Sequence, residues 1–369
     1  MTRRECKGIR IAAVGDLTGA SENAQNPFDD QVSSLLRRSD IVFGNYEAVI
    51  APDPRRTAQK AYCLEAPPGA ETSVRGAGFT VLNVANNHMM DFGADAARAT
   101  VERLNGAGIQ TIGAGRTLEE AWRGIVTHVR GNTVALIGAT ESTDGGLPGD
   151  YVVATLDETI LKRRIVELAA LHDYVVVSLH WGTENVLYPS PSQQCLARAC
   201  IDWGARVVFG HHPHRVQGIE RYAHGLIVYS LGNFNFMPCG VGLTPYENLS
   251  MVCEVTLSQN APPSFHAAPI LIDSSYCPRV VEDESQRTAI QQHLEEISKP
   301  LPPGVDENWW YAEISRPYLL GNLRAFGVRI KRYGWRHLIA CLRWLLSGYN
   351  RRIYRAVLRR WIARKGRPT

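Results

Sequence analysis

Two histidines separated by one residue close an apolar run near the middle of this 369-residue chain, Val207-Val208-Phe209-Gly210-His211-His212-Pro213-His214. Leaving a β-type run, the rings of His212 and His214 can turn towards one point, and Pro213 stiffens the backbone between them. Imidazole is a common ligand of divalent metals. Paired imidazoles with carboxylates nearby suit a hydrolytic centre, where a metal activates water and polarises the bond to be cut. A surface histidine cluster is the plain alternative. Four other strand-like runs weigh against it, because each ends abruptly in a residue able to bind metal. Ile11–Gly15 ends in Asp16, Ile41–Gly44 in Asn45-Tyr46-Glu47, Val81–Ala85 in Asn86-Asn87-His88, and Val175–Leu179 in His180-Trp181-Gly182. A single strand commonly ends in polar turn residues. Five ends rich in Asp, Glu, Asn and His, three of them with Gly alongside, point to one crevice outside the carboxyl ends of the strands.

The elements that must position these residues follow from hydrophobic period. Strands are predicted at Ile9–Val14, Ile41–Gly44, Thr80–Val84, Val134–Ile137, Tyr174–Leu179, Arg206–Phe209, Leu226–Tyr229 and Met251–Leu257. Helices are predicted at Phe28–Arg38, Ala94–Gly106, Thr159–Leu171 and Ser192–Asp202. Gly131-Asn132 and Ala223–Gly225 read as hairpin turns. Strands alternating with helical segments imply a layered α/β domain with at least one mixed sheet. Three regions are expected: a domain over residues 1–275, a connecting helix and Pro-rich linker over 276–305, and a basic amphipathic helical extension over 306–369. The break is Pro300-Leu301-Pro302-Pro303-Gly304.

Composition adds further constraints. Hydrophobic residues make up 45% and charged residues 21%, ordinary for a globular protein. There is no apolar run of membrane-spanning length, and the first eight residues lack the apolar middle of a signal peptide, so a cytoplasmic location is expected. The eight cysteines form no C-x-x-C and read as free thiols of a reducing compartment. The net charge of +4 conceals a division: no Asp or Glu follows Glu313, and residues 314–369 hold fifteen of the forty Lys and Arg. Residues 1–313 therefore carry 25 basic against all 36 acidic residues, a net of −11. An acidic body with a basic tail implies an anionic partner for the tail. An anionic membrane surface met through residues 317–369, at the inner face, is one expectation. Docking on a partner protein and packing on the domain itself are others; no motif supports nucleic-acid binding.

The motifs Gly15-Asp16, Asn45-Tyr46-Glu47, Ala85-Asn86-Asn87-His88-Met89-Met90-Asp91-Phe92-Gly93, His180-Trp181-Gly182-Thr183-Glu184, Gly210-His211-His212-Pro213-His214 and Tyr229-Ser230-Leu231-Gly232-Asn233-Phe234 carry a resemblance. In this order, over residues 9–270, the chain resembles the CapA proteins of poly-γ-glutamate capsule synthesis, within the calcineurin-like metallophosphatase superfamily. The tail after residue 300 is outside the resemblance. The resemblance implies a four-layer αββα sandwich with a metal site at one sheet edge. It also implies Asp16, Asn87, His180, His212 and His214 as metal ligands and His88 as the proton donor to the leaving group.

Two positions depart from the superfamily pattern. Thr18 stands where a His is usual, and Asn45 where a bridging Asp is usual. A neutral amide bridges two cations poorly, so the carboxylate role is assigned to Glu47, and one tight metal with a weak second site is expected. The cofactor expected is one or two divalent ions, Mn, Fe or Zn. Asp91 is expected either to orient His88 or to cap the helix beginning near Phe92-Gly93. Glu184 is a candidate general base or substrate contact, and Asn45, His211 and Asn233 are candidate substrate contacts. The implied activity is metal-dependent hydrolysis of a phosphoester or amide bond in an anionic polymer or its precursor. A non-catalytic component of a polymer synthesis or export complex, or a tailoring enzyme of a peptide or small-molecule pathway, are the rival readings.

Overall fold

The structure, a computed structural model, describes residues 8–20, 27–50, 53, 55–143, 145–237 and 246–365. The opening segment read for a leader, residues 1–7, lies outside them, as do Cys6 and Cys239. In chain order the elements begin β1 (Ile9–Leu17), α1 (Asp30–Leu36), β2 (Ile41–Tyr46), β3 (Val49–Ile50), β4 (Glu65–Ala66), α2 (Ala70–Ala77) and β5 (Val81–Asn83). There follow α3 (Ala94–Gly106), β6 (Gln110–Ile112), β7 (Ala114–Gly115), α4 (Leu118–Arg123), β8 (Ile125–Val129), β9 (Asn132–Thr140) and β10 (Val152–Val153). Next come α5 (Glu158–Leu171), β11 (Tyr174–His180), α6 (Pro191–Asp202), β12 (Val207–His211), β13 (Ile219–Tyr222), β14 (Gly225–Val228) and β15 (Asn233–Asn235). Last are β16 (Leu249–Ser258), β17 (Ala261–Ile272), β18 (Pro278–Val280), α7 (Glu284–Ser298), α8 (Glu307–Tyr333), α9 (Arg336–Leu345) and α10 (Gly348–Lys365).

Two mixed sheets face each other. One runs β18-β17-β16-β1-β2-β5-β6, with β15 also pairing β1; the other runs β13-β14-β12-β11-β9-β8. The central strands β2, β11 and β12 are buried at every residue, as strands covered on both faces must be. On β1, Ile11 and Ala13 meet Phe209 and Val176 of the second sheet in a core between the sheets. Ala12 and Val14 point the other way, into a core shared with Val32, Val74 and Ala97 of α1, α2 and α3. On β11, Val175 and Val177 turn outward to Leu161 and Ile165 of α5 and Ala197 of α6. The result is helix, sheet, sheet, helix, the expected four-layer αββα sandwich.

The predicted central elements are present, α3 with the bounds read from its period. The first hairpin turns at Arg130 and Gly131, both at positive φ, one residue before the expected pair. The segment read as a connector is tied into the sandwich. β18 pairs with β17, and Ile290, Leu294 and Ile297 of α7 enter the core between the sheets. The Pro-rich break is a pinned turn: Leu301 is fully buried, and Val305 N donates to Gln194 Oε1 at 2.8 Å. The tail packs partly on its own domain, with Trp310, Ile314, Ile353 and Ala356 joining the core outside the second sheet. Among the described residues no helix is long and apolar enough to cross a membrane.

Candidate metal centre

Parallel pairing brings the polar strand ends to one edge. In the first sheet Asp16 lies opposite Asn45 of β2 and, on its other side, opposite Asn233 of β15. In the second, His180 lies opposite His211. Two glycines make the approach close enough. A Cβ on Gly15 would sit 1.9 Å from the Gly232 carbonyl oxygen, and one on Gly210 would sit 1.9 Å from that of Tyr229. Beyond β12 the chain turns with His212 at φ 91° and His214 at φ 54°. Left-handed backbone at non-glycine residues is costly and collects at functional sites. Here it brings the His214 ring to Asp16 and sets His212 beside Glu47 and His214.

Two carboxylates share this centre with opposite surroundings. Asp16 is enclosed by nitrogens: Asn45 Nδ2 donates at 2.9 Å to Oδ1, the His212 amide at 3.2 Å to Oδ2, and the Nδ1 atoms of His211 and His214 each lie 3.3 Å away. Burial pushes its carboxyl up, but His211 and His214 outweigh that and hold it well below the usual range. Glu47 is equally buried, yet among the described residues neither of its oxygens has a hydrogen-bond partner. Burial, and then the charge of Asp16, push its carboxyl well above the usual range. Facing Glu47 Oε1 are the Nε2 atoms of His180 at 3.5 Å, His88 at 3.9 Å and His214 at 4.0 Å. Burial, followed by the neighbouring His212, keeps His180 in the neutral form, which is the form that ligates metal.

This donor set fits a divalent cation. Ligand atoms of Glu47, His212 and His214, and of Asp16, Glu47 and His180, form two groups whose members all lie within 4.8 Å of one another. Asn87 Oδ1 lies 2.9 Å from His180 Nε2. Bonds of about 2.1 Å place neighbouring ligands about 3.0–3.4 Å apart, close to the shorter of these separations. The unpartnered Glu47 carboxylate is the group such an ion would satisfy.

His88 sits at the rim, its side chain 10% exposed. Its Nδ1 is 2.6 Å from Asp91 Oδ2. The other Asp91 oxygen takes the Lys60 ammonium at 2.8 Å, and Oδ2 also accepts from Leu64 N at 2.9 Å. Asp91 thus orients His88. It does not cap α3, whose N-cap is Gly93 with no side-chain hydrogen bond. Lys60 also donates to the Asn87 carbonyl. A buried lysine between Ala58-Gln59 and Ala61 carries no sequence signal of this role.

Asn45, His211 and Asn233, expected to meet substrate, are placed behind the cluster, each at most 1% exposed. Asn45 holds Asp16, His211 packs between Asp16 and Phe43, and Asn233 Oδ1 is 2.8 Å from His214 Nδ1. They hold the candidate ligands. Thr18 spends its hydroxyl on the Asn235 carbonyl at 3.2 Å. Glu184 is exposed on the loop after β11, near enough for its charge to raise Glu47. On the far side of that loop the tail completes a cleft of about 490 Å³, with Gly182, Thr183 and Gln193 on one wall and Trp310, Tyr318 and Tyr349 on the other. Thr183 and Tyr349 line this cleft together, so the tail meets the loop that follows His180.

Comparison with known proteins places this arrangement. Similarity to solved structures is loose. A novel phosphatase from Mycoplasma pneumoniae aligns with TM-score 0.47 and 12% identity over 73% of this chain and 96% of its own. A 5'-nucleotidase from Candida albicans aligns with TM-score 0.43 and 12% identity over 79% and 57%. Sequence similarity is closer. The capsule biosynthesis protein CapA of Bacillus anthracis is 37% identical over 218 residues, 56% of this chain and 52% of that protein. The PGA biosynthesis protein CapA of Bacillus subtilis is 34% identical over 270 residues, 71% of this chain and 69% of that protein. The chain thus spans between about half and two thirds of the length of these relatives. Residues 10–237, the stretch that carries every strand end of the metal centre, match the family described as bacterial capsule synthesis protein PGA_cap, and the chain belongs to that family.

Proposed function

We propose that this protein is a metal-dependent hydrolase of an anionic polymer of the poly-γ-glutamate kind, or of its precursor, cutting a phosphoester or an amide bond. The observation that carries the reading is the fully buried Glu47 carboxylate, which has no hydrogen bond among the described residues and faces three imidazoles. A buried carboxylate without a partner is costly, and a cation held by Glu47, His212 and His214, with Asp16, Asn87 and His180 beside them, answers that cost. Oxygen and imidazole donors suit Mn²⁺, Fe²⁺ or Zn²⁺. When bound, such an ion lowers the pKa of water and polarises a phosphoryl or acyl oxygen. His88, its Nδ1 committed to Asp91, is left with Nε2 to protonate the departing group. The polymer class comes from the relatives, whose names tie them to capsule and PGA biosynthesis. The six described cysteines are free thiols, which supports a reducing compartment, the cytoplasm.

One observation favours a non-catalytic role in a polymer synthesis complex. Asn45 stands between Asp16 Oδ1 at 2.9 Å and His180 Nδ1 at 3.2 Å, where a carboxylate would add charge for a second ion. Metal analysis of the purified protein, followed by assay on a panel of phosphoesters and γ-glutamyl amides, separates the readings. The hydrolase reading expects bound metal and turnover that falls about 10²–10⁴-fold in His88→Gln. Bound metal without turnover supports the non-catalytic reading. Absence of both bound metal and His88-dependent turnover overturns the hydrolase.

A further inference from the structure

The outer face of the tail has the wrong polarity for water. On α9 and the residues that flank it, Trp335, Leu338, Ile339, Leu342 and Leu346 recur at helical spacing and are 44–74% exposed. The opposite side of the same helix is the packed one: Cys341 is buried, and Trp344 lies against Tyr318 and Phe326. On α10, Ile353 and Ala356 point inward, while Val357, Leu358, Trp361 and Ile362 are 41–56% exposed. A helix packed on a globular domain ordinarily turns polar residues to solvent. Twelve of the eighteen large apolar side chains exposed among the described residues lie between Leu320 and Ile362.

Charge narrows what covers this face. Arg352 and Arg360 reach back to Glu307 and Glu313 of the tail's own first helix. Arg336, Arg343, Arg351 and Arg355 form no ion pair among the described residues, and no acidic residue follows Glu313. A second copy meeting the same face by twofold symmetry would set this basic surface against itself. A nucleic acid would use the arginines and leave the aliphatic stripe uncovered. A bilayer with anionic headgroups takes both, apolar residues into the acyl boundary and arginines at the headgroups.

We propose that α9 and α10 form an interfacial docking face for an anionic lipid surface, lying in its plane and not crossing it. This goes beyond the hydrolase reading and stands or falls separately from it. Flotation of the full chain with vesicles of phosphatidylcholine, alone or mixed with phosphatidylglycerol, tests it. The expected result is recovery with the mixed vesicles, loss with phosphatidylcholine alone, and weakening as salt is raised. The paired substitution Leu338→Asp with Leu342→Asp, at half-exposed positions, is expected to lower partitioning about tenfold or more with the melting temperature unchanged. Arg336→Glu with Arg343→Glu is expected to act in the same direction on anionic vesicles only. Equal recovery of the wild type and the leucine variant overturns the proposal. So does a wild type that fails to float, whether it is a dimer dissolved by the leucine substitutions or binds nucleic acid instead.

Discussion

The metal centre and the outer face of the tail break the same burial rule in opposite senses. In the first, the Glu47 carboxylate is sealed from water with no hydrogen bond among the described residues. In the second, a row of aliphatic and aromatic side chains on α9 and α10 faces water. Buried polar groups are normally satisfied, and large exposed apolar patches on globular proteins mark contacts. Each breach therefore has the shape of an absent partner, a small cation for one and a soft charged surface for the other. The inward faces of the same elements obey the rule: Asp16 is surrounded by donors, and Ile353 is fully buried.

The contrast can be broken by measurement, and the buried side gives the larger effects. Lys60→Met takes the buried ammonium from Asp91 and is expected to cost about 3–5 kcal/mol in urea unfolding; a loss under about 1 kcal/mol would show that Lys60 is not the partner. Ile353→Ala, on the inward face of α10, should cost about 2–5 kcal/mol, and a neutral result would mean the tail does not pack on the sandwich. Stripping metal with a chelator should lower stability by about 2.7 kcal/mol relative to protein with free metal at a hundred times Kd; coincident melting curves would remove the cation. Glu47→Gln should stabilise the metal-free protein by about 1–3 kcal/mol while abolishing the gain from added metal, a reversal that a purely structural glutamate would not show. The smallest change is expected at the exposed stripe. Leu338→Gln and Leu342→Gln should each stay within about 0.5 kcal/mol, and a larger loss would show that the stripe is covered by the protein itself.

Much of the sandwich was legible in the chain because buried parallel strands read as unbroken apolar runs. The twelve residues of β17 escaped, because Pro262, Pro263 and Pro269 argue against a strand, although the segment pairs with β16 along its length. α7 was visible as a helix, but its place between the sheets depends on long-range packing that periodicity does not carry. At the site, residue type and position at a strand end brought out Asp16, Glu47, His180, His212 and His214 as candidates, and the family resemblance singled out Asn87 and His88. Which way each side chain faces was not legible, so Asn45, His211 and Asn233 were read towards substrate when they support the ligands from behind. Lys60 was invisible, since only the fold brings it to Asp91.

The clamp on His88 has a consequence for timing. Its Nδ1 is closed off by Asp91, itself held by Lys60 and the Leu64 amide, so Nε2 is the single ring atom open to exchange. In a site working as proposed, the proton lost to a leaving group must return through the mouth by which that group departs. Reloading of the acid then waits on product exit, and a long polymer lingering in the mouth would throttle the next cycle even with the metal and its water ready.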